Sequence, residues 1–214
     1  VTGSGDYIVS VLADDGQDRP QIQVTGNRID WPEGWPPLEL GATYVLVVEG
    51  GGRLSNEGNE ANAGLGFWLL MEDQTEVVNG LEERLRAQPL SPTAADLLVA
   101  ELYRSHGLRA EAAALLEQLV DTDGAPAVWI ALGDVYLEVG LALEAEEALE
   151  QALASAQGAG QQEAEATARV GLALTAQLQD DDASAQDHLL AAQALYEQIG
   201  DRARFEEVTR LLGE

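Results

Sequence analysis

Apolar and polar residues alternate along the first third of the chain and then give way to a helical period. DYIVSVL (6–12) sets Tyr7, Val9 and Val11 on one side, and Asp14-Asp15-Gly16 supplies the turn of a hairpin. Gln21 to Val24 and Arg28 to Trp31 flank a second turn, Thr25-Gly26-Asn27. WPEGWPP (31–37) then ends any pairing, because proline lacks the donor that a ladder needs. Tyr44 to Glu49 predict another strand with Tyr44, Leu46 and Val48 inward, and GGGR (50–53) breaks it. GLGFWLLM (64–71) is apolar on both faces and predicts a closing strand covered on both sides. Beyond it Ala, Leu, Glu and Gln dominate. Thr75 to Gln88 predict a helix joining the two regions, and Ser91-Pro92 predict an N-cap followed by proline at the first helical position.

The second region repeats itself. APAVWIALGDVYLEVGLALEAEEALEQALASA (125–156) carries Trp129, Leu132, Gly133, Tyr136, Ala145, Leu149 and Ala152, with small residues where two antiparallel helices would touch and large ones where they would interlock. This spacing resembles the tetratricopeptide repeat, with Gln157 standing where the family pattern ends in proline. A shift back by 33 residues gives a preceding unit with Val99, Ala100, Tyr103, Gly107, Ala112, Leu116 and Leu119. In a third unit Val170, Gly171 and Leu174 fit the first helix, and Ala185, Leu189 and Ala192 fit the second after a two-residue insertion near Asp180-Asp181-Asp182. Gly200-Asp201 ends that unit, and RARFEEVTRLLGE (202–214) predicts a capping helix.

The resemblance implies a partner-binding groove lined mainly by first helices. Its positions would be Leu97, Glu101, Arg104 and Ser105 in the first unit, Ala127, Ile130, Asp134, Leu137 and Glu138 in the second, and Ala168, Leu172 and Thr175 in the third. Arg104 alone is no clamp for a terminal carboxylate, so the groove suits an apolar or basic segment, unless another domain fills it.

In the first region LELGATYVLVV (38–48) resembles the tyrosine corner of a fibronectin-type or immunoglobulin-like β-sandwich, through Leu38, Gly41, Tyr44, Leu46 and Val48. Leu40 stands where that pattern usually has proline. Residues 6–72 would supply only the last five strands, which leaves an open edge. A stretch upstream of Val1, a rearranged smaller sheet resting on the helices, or a strand donated by a neighbouring molecule could fill it. Trp31, Trp35 and Trp68 fit the plug of a small sandwich, or of its junction with the next domain, better than a platform for a carbohydrate or Pro-rich peptide.

Charge narrows the partners. All eleven basic residues are arginine, the acidic residues number 38, and the net charge is -27. Nucleic acid and anionic membrane would be repelled. Such a surface favours solubility and also fits a saline habitat, where added salt would favour folding or assembly. The absence of cysteine removes disulfides, thiol nucleophiles and cysteine-based zinc sites. No apolar run approaches the roughly 20 residues of a membrane span. The start VTGSGDY has no Met, basic n-region or apolar h-region, so a processed mature chain or a piece of something longer is expected.

Little points to catalysis. His106 and His188 lack companions at a ligand spacing, and Asp121-Thr122-Asp123-Gly124 and Asp180-Asp181-Asp182 read as helix-connecting turns, since neither continues into a calcium loop. Gly50-Gly51-Gly52 opens no phosphate-binding helix.

The expected architecture is therefore a multi-domain α+β chain: a small antiparallel β-sandwich-like domain (1–72), a connecting helix (73–90), an all-α tetratricopeptide-like superhelical array (91–200) and a capping helix (201–214). A non-enzymatic, cofactor-free scaffold is expected, outside the cytoplasm, with protein partners. It would assemble into homo-oligomers or filaments through strand complementation or the groove. The alternative is a monomeric adaptor that binds an apolar or basic peptide of a separate partner.

Overall fold

The computed structural model describes residues 6–13, 18–25, 31–49, 53–55 and 66–213. Two compact units emerge, residues 1–77 and 78–214.

The first unit is built on one antiparallel sheet of β1 (Asp6–Ala13), β2 (Asp18–Thr25), β3 (Thr43–Glu49), β4 (Arg53–Ser55) and β5 (Gly66–Trp68). Its order is β2-β1-β3-β4, with β5 also on β3. The β1–β2 hairpin forms as the alternation predicts, with Val9 opposite Ile22. Across β1 and β3, Val9 faces Val48, Val11 faces Leu46 and Ala13 faces Tyr44, so one face collects these positions. β4 pairs with Val47–Glu49 and β5 with Thr43–Val45, which sets them end to end along the same edge of β3.

This differs from the expected sandwich: among the described residues there is one sheet, with no second sheet facing it. Trp31 lies outside any strand, while residues 26–30 of the expected second hairpin lie outside the described residues. β5 ends at Trp68, short of Met71, and is not covered on both sides, since Trp68 is 48% exposed.

The corner itself is present. Gly41 has φ +76°, in the left-handed region that glycine enters freely. The Glu39 N–H donates to the Tyr44 hydroxyl at 2.7 Å. Tyr44 is fully buried and stacks on Phe67 with ring centroids 5.3 Å apart. Leu38 is half-buried, and Trp31 meets Trp35 edge to face at 5.0 Å. The corner's local contacts are thus formed on a single sheet among the described residues.

Helix α1 (Glu72–Arg86) starts earlier than Thr75, because the Gln74 side chain accepts from the Met71 N–H at 3.0 Å and closes the first turn. The second unit continues with α2 (Pro92–Ser105), α3 (Arg109–Val120), α4 (Pro126–Glu138), α5 (Ala142–Ala159), α6 (Gln162–Leu178), α7 (Asp182–Ile199) and α8 (Arg202–Leu211). Ser91 caps α2 as expected, accepting from the Ala94 N–H. No helix among the described residues is long and apolar enough to cross a membrane.

Burial sets the repeat period. Val128, Leu132, Gly133 and Val135 of α4 are buried, and so, 40 positions on, are Ala168, Leu172, Ala173 and Thr175 of α6. Ala145, Leu149 and Ala152 of α5 recur, again 40 on, as Ala185, Leu189 and Ala192 of α7. Both helices thus share one period, and the expected insertion at Asp180-Asp181-Asp182 is absent. Ala173, not Gly171, is the counterpart of Gly133. The residues beyond the 33-residue first step lengthen the helices, to 18 in α5 and 17 in α6 against 13 in α4.

The turns within the three hairpins are alike. In each, a three-residue link has a left-handed middle residue: Gly107 (φ +75°), Gly140 (+75°) and Asp180 (+59°). The residue after it, Leu108, Leu141 or Asp181, donates its N–H at 2.9 Å to the carbonyl of Tyr103, Tyr136 or Ala176. Asp180 is the one non-glycine residue with positive φ among those described. Asp180→Gly should therefore stabilise the array by about 0.5–1 kcal/mol, read as a raised urea midpoint at unchanged slope. A lowered midpoint would contradict this account of the turn.

Candidate partner-binding groove

The first helices of the three hairpins, α2, α4 and α6, each keep one stripe of side chains off the core. On α2 and α4 it bears much of the charge near the predicted groove. Glu101 accepts from the Arg104 guanidinium at 2.7 and 2.9 Å, and Arg104 also bonds Glu138 across to α4. Arg109 of α3 donates to the other oxygen of Glu138 at 3.1 Å. Arg104 is therefore held by two carboxylates of its own chain, which raises its pKa further and leaves it no surplus charge for an acidic ligand.

Asp134 sits beside this network. Burial pushes its carboxyl up to about 6, while the Arg104 charge pulls the other way. The folded protein then holds this proton more tightly than the unfolded chain does. The group's contribution to stability thus falls as pH rises from about 4 through 6. Asp134→Asn, neutral throughout, is expected to gain on the order of 1–2 kcal/mol over the parent at pH 8 and to converge with it below pH 4. Urea titrations at both pH values check this; a pH-independent difference would contradict the assigned cause.

Leu97, Glu101, Arg104 and Asp134 line one small cavity of about 60 Å³ between α2 and α4. Ile130 and Ala127 instead line a larger open cavity of about 800 Å³, reaching to the starts of α6 and α8 through Glu163, Thr167, Asp201 and Arg204. There Arg204 donates to Thr167 Oγ1 at 2.8 Å and lies over the Tyr196 ring. Leu137 is half-buried against the cluster of Ala145, Leu149 and Leu172.

The third-unit positions turn inward. Leu172 is 5% exposed, and Ala168 and Thr175 are 0% and 1% exposed. All three repeat the buried Leu132, Val128 and Val135 of α4, so they pack between helices and leave little surface for a partner. With the 40-residue period, the counterparts of Ala127, Ile130, Asp134, Leu137 and Glu138 are Thr167, Val170, Leu174, Gln177 and Leu178. They fall on one stripe of α6, and Leu174 and Leu178 are 38% and 57% exposed. The signal for them was available in the second helices, where Leu149 and Leu189 are 40 residues apart.

The signature residues pack the array. Trp129, Leu132 and Tyr136 join the cluster around Leu116 and Val128, and the Tyr136 hydroxyl donates to Glu117 at 2.8 Å. Leu149 is wholly buried, with Gly133 on one side and Gly171 on the other. Asp181 caps α7 by accepting from the Ser184 N–H at 3.1 Å, and Asp123 accepts from Thr93 at 2.6 Å. Both acidic turns thus have structural work. Among the described residues no group of three or more His, Cys, Asp or Glu is placed to hold a metal ion.

Residues 124–198 match the tetratricopeptide repeat family model, which supports the repeat reading over that span. No curated protein matches the chain. Similar solved structures include MamA, at 17% identity and TM-score 0.45, covering 66% of this chain and 89% of that one. Others are the nearly identical TPR-like repeats of a candidate kinesin light chain of Podosopora anserina. Its Q17M form has 19% identity and TM-score 0.42, covering 65% of this chain and 86% of that one. A second structure of those repeats has 21% identity and TM-score 0.41, covering 65% and 87%.

Proposed function

We propose that the chain is a non-enzymatic interaction scaffold that holds a segment of a protein partner along the stripe shared by α2, α4 and α6. The observation that carries this reading is the exposure of Leu174 and Leu178, one helical turn apart, on the stripe of α6 whose α4 counterparts are Asp134 and Glu138. Apolar side chains grouped in this way on a repeat array suit a docking surface. Peptides selected from a random display library on the immobilised full chain should lose binding when Leu174 and Leu178 are both changed to Gln. They should keep it when Leu190, exposed on α7, is changed to Gln. Equal loss in both variants would contradict the reading.

A second reading, self-assembly, is favoured by β2. It is the outer strand of the sheet and pairs on one side only among the described residues, so a neighbour's strand could be added to its free edge. Light scattering over a concentration and salt series should then show mass growing beyond 22.8 kDa. A constant monomer mass would dismiss it.

A further inference from the structure

The stripe changes character along the array. Glu101 of α2 and Asp134 and Glu138 of α4 give it carboxylates, with Glu101 the most open at 56% side-chain exposure. At the matching places α6 carries Leu174 and Leu178, both exposed. Helices α4 and α6 pack against each other, so the carboxylate and leucine stretches are neighbours. Arg104 and Arg109 pair with Glu101 and Glu138, so with Asp134 three carboxylates stand against two arginines and one negative charge is in surplus at this end. Around this, residues 78–214 hold 25 acidic side chains against eight arginines. An incoming cation therefore meets surplus negative charge at one end of the stripe and an apolar surface at the other.

We propose that the occupant of the stripe is a single amphipathic protein segment of segregated chemistry. Its basic block lies over the end of the stripe where Glu101, Asp134 and Glu138 outnumber Arg104 and Arg109, and its leucine-rich block lies on Leu174 and Leu178. This rests on the groove reading above and adds an order to it. A ligand with its arginines spread evenly would bring half of them onto leucines, where a charge loses hydration without gaining a partner. An acidic ligand would meet carboxylates with no free arginine to answer it. The juxtaposition thus selects by the arrangement of the segment as well as by its composition.

Three labelled synthetic peptides test this by fluorescence anisotropy against the full chain: one with an arginine block and a leucine block, one of the same composition interleaved, and one with glutamate replacing arginine. The block peptide should bind about tenfold more tightly than either of the others. Glu101→Gln should weaken it and flatten its salt dependence, whereas Leu174→Gln should weaken it and leave the salt dependence intact. Both positions are exposed, so circular dichroism should show both variants folded. If the interleaved or acidic peptide binds equally well and is still lost in Leu174→Gln, the stripe remains a docking site and the segregated order is wrong. If no peptide's affinity responds to either substitution while Leu190→Gln alters it, the docking surface lies elsewhere and both readings fall.

Discussion

Leu149→Ala is expected to lower the unfolding free energy by about 3 kcal/mol, within the 2–5 kcal/mol that buried leucine truncations cost. Leu149 is wholly buried on α5, packed beside Gly133 of α4 and Gly171 of α6. It joins Ala145 and Leu172 in a cluster bordered by Tyr136, Leu137 and Leu153. Removing it leaves a void where three helices meet, and two of them present backbone that can close the gap only by moving as a whole. Chemical denaturation of the full chain reads the effect; a loss below about 1 kcal/mol would mean that the helices collapse into the space.

The reverse defect is expected at Gly171. In an open helix interior Gly→Ala gains roughly 1 kcal/mol. Here a β-carbon would stand 2.7 Å from Leu149 Cδ2 and 2.9 Å from Cδ1, closer than carbon atoms tolerate. Gly171→Ala should therefore destabilise by about 1–3 kcal/mol, as overpacked cores do. In the Leu149→Ala background the clash has no partner, and the same substitution should become neutral or stabilising. A double-mutant cycle with a coupling of about 2 kcal/mol or more is the expected result. Additive effects would show that the two residues do not share this contact.

That contact also explains what could be read in the sequence. Trp129, Gly133, Tyr136, Ala145, Leu149 and Ala152 announce a helix pair because each is large or small for a packing reason that its neighbours share. The third repeat reads two residues out of register because Gly171 looks like Gly133. Each makes room for Leu149, but Gly133 does so from the first helix of the same hairpin and Gly171 from the next hairpin. Composition cannot tell these sides apart; burial can. A two-residue shift puts the expected groove on Ala168, Leu172 and Thr175, which are core, in place of Val170, Leu174 and Gln177.

In the first unit the alternation in DYIVSVL and the Gly41–Tyr44 corner were legible because both are local. The two-sheet architecture attached to the corner was not secured by it. A hydrogen bond from the Glu39 N–H to the Tyr44 hydroxyl and a glycine at φ +76° specify one bend of the chain and are silent about how many sheets surround it.

The chain has no cysteine, so thiol-labelling rates of L172C and L174C, each alone in the full protein, report directly which face of α6 is open. Measured with and without the block peptide, they test the groove most directly. L174C should label rapidly and be protected by the peptide, and L172C should label slowly in both conditions. Faster labelling of L172C than of L174C, or no protection of L174C by a peptide that binds, would contradict the assignment of this stripe as the docking surface.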